Sequence, residues 1–63
     1  PMTLENITLF RTASVWMAKT DSAEVLSIFG TDTIPTAYMA NADAAFVMAE
    51  IRRLNPSANV SLS

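Results

Sequence analysis

The sequence predicts an α+β fold of two layers, with a small antiparallel sheet packed on one main helix in the order β-β-short α-β-α-β. Three observations predict it. Residues 7–12, 15–20 and 60–63 alternate or concentrate β-branched, aromatic and aliphatic side chains, as half-buried strands do. Residues 42–54 are dominated by Ala, Met, Glu, Arg and Leu, all strong helix formers. The chain has 63 residues, 51% of them hydrophobic and only 16% charged, which suits one domain and is too apolar for a disordered chain.

Residues 1–5 read as a flexible lead-in, and Pro1 ahead of Met2 has the look of a tag remnant before an initiator methionine. In Ile7–Thr12, Ile7 and Leu9 share one face of a strand, while Thr8, Phe10 and Thr12 share the other. Ala13-Ser14 breaks the run, and Val15–Thr20 is the expected return strand; the alternative is one helix from Val15 to Phe29. Asp21-Ser22-Ala23-Glu24 has capping-box spacing, with Asp21 as N-cap of a short helix. Val25, Leu26, Ile28 and Phe29 supply that helix with an apolar face, expected to dock on the sheet, and Gly30 is placed to end it in the left-handed region. Thr31, Asp32 and Thr33 are suited to bonding back to the local backbone. Pro35 donates no N–H, which restricts Ile34–Met39 to an edge or short strand.

The main helix is expected between Asn41 as N-cap and Pro56 as stop, with Asp43 in the first turn and Arg52 and Arg53 in the last. At 100° per residue, Ala44, Val47, Met48, Ile51 and Leu54 fall in one arc, the core stripe. Phe46 lies about 160–180° from the centre of that arc, beside Ala42, Ala49 and Arg53. Those four residues form a second face, the expected interface. Ser57–Asn59 then turns the chain into a last strand whose Val60 and Leu62 face the core stripe.

Composition excludes several chemistries. With no Cys, disulfides and thiolate metal sites are ruled out, and with no His the commonest general base and zinc ligand is missing. A thin core without these supports is expected to gain stability by oligomerisation, so a homodimer is the expected state. No catalytic residue, metal or cofactor is assigned. Net charge −2 and a pI near 4.6 disfavour broad contact with phosphate backbones. No apolar run reaches the roughly 20 residues that span a bilayer, and no secretory signal is expected, so the expected location is cytoplasmic.

Three resemblances bear on this reading. The segment Ile28-Phe29-Gly30-Thr31-Asp32-Thr33-Ile34-Pro35-Thr36, followed by a helix ending in Asn55-Pro56 and a terminal strand, resembles small bacterial proteins of uncharacterised function that carry Phe-Gly-Thr-x-Thr-aliphatic-Pro-Thr. The element order is similar to that of HicB-type antitoxin domains, although Asn41-Ala42-Asp43 stands where that family has Gly-Asp-Thr. Pro1, the length and Arg11 resemble the tautomerase superfamily, which implies the Pro1 amine as a base; there the strand begins at the proline, here near Ile7.

The function expected from these features is a non-catalytic protein-interaction or regulatory module that associates with itself. Trp16, Tyr38 and Arg52 are further candidates for partner contact. The alternative is a nucleic-acid-binding module using Arg11, Lys19, Arg52 and Arg53, with Trp16 or Tyr38 as a stacking platform. A further alternative is a tautomerase-like enzyme using Pro1.

Overall fold

The computed structural model describes residues 6–63, so Pro1 and the lead-in to residue 5 lie outside the described residues. The order is β1 (Asn6–Arg11), β2 (Val15–Thr20), α1 (Ala23–Phe29), β3 (Thr33–Met39), α2 (Ala44–Leu54) and β4 (Asn59–Leu62). This is the expected α+β sequence of elements, with residues 15–20 as a strand and not part of a helix.

The sheet order is β3-β2-β1-β4. β1, β2 and β3 form an antiparallel meander, but β4 pairs parallel to β1, so the sheet is mixed where an all-antiparallel one was expected. The reason is the length of α2. Eleven helical residues carry the chain about 16 Å back along the sheet, so β4 starts from the same end as β3 and runs in its direction. The crossover passes over β2 and β1, and α2 therefore covers one side of the sheet.

That covered side is the core. Ile7, Leu9, Trp16, Ala18 and Val60 from the strands meet Val47 and Ile51 of α2, with Ala44 and Met48 partly buried beside them. Leu54, placed by periodicity in the same stripe, is 58% exposed. It is the last residue of α2, where the chain turns away through Asn55–Ala58, and it lines one wall of a cleft of about 190 Å³ shared with Ile34, Tyr38 and Ile51. Leu62 is likewise exposed, at the free end of β4.

The caps differ from the expected ones by one or two residues, with clear causes. Asp43, not Asn41, caps α2, its Oδ2 accepting from the N–H groups of Ala45 (3.0 Å) and Phe46 (3.3 Å). Residues 39–42 are already closed into a turn by the Ala42 N–H on the Met39 carbonyl, so the helix cannot begin before it. Ser22, not Asp21, caps α1 through its Oγ on the Val25 N–H. Asp21 is occupied elsewhere, accepting from the backbone N–H and the side-chain amide of Asn6 at 3.1 and 2.6 Å. Gly30 ends α1 at φ 71°, as expected. The docking of α1 is much slighter than expected. Val25 alone is buried, while Leu26, Ile28 and Phe29 stand exposed.

The hairpin between β1 and β2 turns without Gly or Asn because Thr12 supplies the chemistry. Its hydroxyl donates to the Val15 carbonyl at 2.7 Å and accepts from the Val15 N–H at 3.1 Å. At the other side of β2, the ladder is irregular between Val15 and Met17, beside Pro35. There the Thr36 hydroxyl donates to the Trp16 carbonyl at 2.8 Å, taking the place of a backbone donor.

Candidate interaction surface

Phe46 projects from the outer side of α2 and is 54% exposed. Ala45 and Ala49 beside it are exposed and small, whereas Ala42, placed on the same face by periodicity, sits in the loop before the helix and is half-buried. One edge of the Phe46 ring is fixed by Tyr38, with centroids 5.9 Å apart and planes at 83°. Tyr38 is in turn held by its hydroxyl, which donates to Glu50 Oε1 at 3.3 Å. Arg53 grips the same carboxylate through Nη2 (2.9 Å) and Nε (3.3 Å).

The titration of this trio follows its geometry. The Arg53 hydrogen bond holds the Glu50 carboxyl below its ordinary value against partial desolvation. Desolvation, then the neighbouring Glu50 charge, pushes the Tyr38 phenol above its ordinary value. At neutral pH the cluster is a neutral phenol, a carboxylate and a guanidinium hydrogen-bonded to one another beneath Phe46.

The other candidate residues are placed differently. Trp16 is 4% exposed, a core residue and not a free platform. Its indole N–H donates to the Ala42 carbonyl at 3.0 Å, and Arg11 donates to the same oxygen at 3.2 Å with its guanidinium carbon 4.5 Å from the Trp16 ring centroid. Arg11 and Trp16 together anchor the turn that launches α2. Arg52 donates to the Val60 carbonyl at 3.3 Å. Lys19 lies on the side of the sheet away from Trp16, by strand alternation. The three guanidinium groups are thus each engaged within the chain, Arg11 on Ala42, Arg52 on Val60 and Arg53 on Glu50.

Asp32 and its threonines act locally, as expected. The Thr33 hydroxyl donates to Asp32 at 2.9 Å, and the Thr33 N–H donates to the Thr31 hydroxyl at 3.2 Å. No group of three potential metal-ligating side chains occurs among the described residues, and no helix among them is long and apolar enough to cross a membrane. Pro1, the base implied by the tautomerase resemblance, is outside the described residues.

One surface emerges from the topology and not from any single motif. Since α2 covers one side of the sheet, the alternate residues of the strands face the other side. Alternation and register put Thr8 and Phe10 of β1, Val15, Met17 and Lys19 of β2, and Pro35, Ala37 and Met39 of β3 on it. Phe10, Val15 and Met17 are half-buried, and Met39 is 61% exposed. A shallow depression of about 670 Å³ marks its polar end, lined by Asn6, Thr8, Lys19 and Asp32. The signal was present in the alternation of residues 7–20, where both faces carry large apolar side chains.

No protein-family model, curated protein or solved structure matches the chain.

Proposed function

We propose that the chain is a non-catalytic protein-interaction module that associates with itself and regulates a partner protein. The observation that carries this reading is apolar surface. Seven large hydrophobic side chains among the described residues stand 46–61% exposed, against a buried apolar core of eight residues. Single exposed apolar residues are ordinary on soluble proteins, but that ratio in so small a domain is not balanced by disulfides, there being no Cys.

Two outward surfaces support it: the Phe46 side of α2, where small alanines permit close approach, and the side of the sheet away from α2. Arg53 borders Phe46 with its charge already paired, so a partner there meets an apolar centre and a satisfied polar rim. Four of the described carboxylates are held within the chain, Asp21 by Asn6, Asp32 by Thr33, Asp43 by the N-terminus of α2 and Glu50 by Arg53, which favours a binding role over acid–base chemistry.

The test is oligomeric state. Light scattering and sedimentation equilibrium across a wide concentration range are expected to show a monomer–dimer equilibrium. A monomer throughout removes self-association. In the same samples, DNA and RNA are expected to produce no salt-dependent shift; a shift lost in an Arg52→Ala/Arg53→Ala variant would instead favour nucleic-acid binding.

A further inference from the structure

We draw no further inference here: the strongest candidate, the apolar cleft of about 190 Å³ between β3 and the end of α2 that Ile34, Tyr38, Ile51 and Leu54 line, is an unpartnered groove, and nothing in the structure shows what covers it.

Discussion

The two sides of the sheet are built from the same strands and have opposite fates. On one, Ile7, Leu9, Trp16, Ala18 and Val60 are buried beneath Val47 and Ile51. On the other, Phe10, Val15 and Met17 are half-buried and Met39 is exposed. Residue type does not separate them, since each side holds aromatic and aliphatic side chains of comparable size. Topology does. The chain makes a single crossover long enough to lie along the sheet, and a helix of eleven residues can cover one side only. The seven residues of α1 bury just Val25.

The most direct way to break this comparison is to truncate a side chain on each side. Leu9 is fully buried, and Leu9→Ala is expected to cost about 2–5 kcal/mol, enough to unfold a marginal domain. Met17→Ala, made at a concentration where the chain is monomeric, is expected to cost less than about 1 kcal/mol, near the range of surface substitutions. Urea unfolding measures both. Equal losses would mean that the side away from α2 is packed in the monomer, and the asymmetry argued above would fall.

A smaller effect sharpens the covered side. Trp16→Phe keeps the ring but removes the indole donor to the Ala42 carbonyl, at an expected cost of about 1–2 kcal/mol. Arg11 donates to the same oxygen, so Trp16→Phe and Arg11→Met are expected to be non-additive in a double-mutant cycle. Smaller again is Asp43→Ala, expected to cost about 1 kcal/mol through loss of the acceptor for two N–H groups of α2. An Asn41→Ala variant, by contrast, is expected to change little, which checks that the cap lies at 43.

These effects also mark what the sequence made legible. Periodicity identified α2 and its stripe through Val47 and Ile51, and alternation identified Ile7, Leu9 and Val60, because each depends only on neighbours along the chain. The direction of β4 did not follow, since it depends on where an eleven-residue helix sets the chain down. Trp16 read as a possible platform because a sequence cannot show that the Ala42 carbonyl, 26 positions away, would take its N–H. Asp21 looked like a cap for the same reason: its partner Asn6 is 15 positions distant. The face around Phe46 was legible from the helical wheel, yet the second side of the sheet, equally present in residues 8–17, required the topology to show that α2 lies on the other.

The Asp21–Asn6 pair gives the smallest and most selective test, because it ties the start of β1 to the end of β2 at the polar end of the side away from α2. Two donated hydrogen bonds from Asn6 hold the Asp21 carboxyl below its ordinary value. The native state therefore binds fewer protons than the unfolded chain near pH 4, and stability rises with pH through that window. The contribution is complete above the unfolded carboxyl's pKa and is lost as pH falls through the lower native one. Asp21→Asn removes the titrating group while leaving an oxygen that can accept from Asn6. Urea midpoints at pH 7 and pH 3 are expected to differ less in Asp21→Asn than in the parent chain. The same difference in both would show that this end of the sheet is not tied through the carboxylate, and that the boundary between the two sides is set by packing alone.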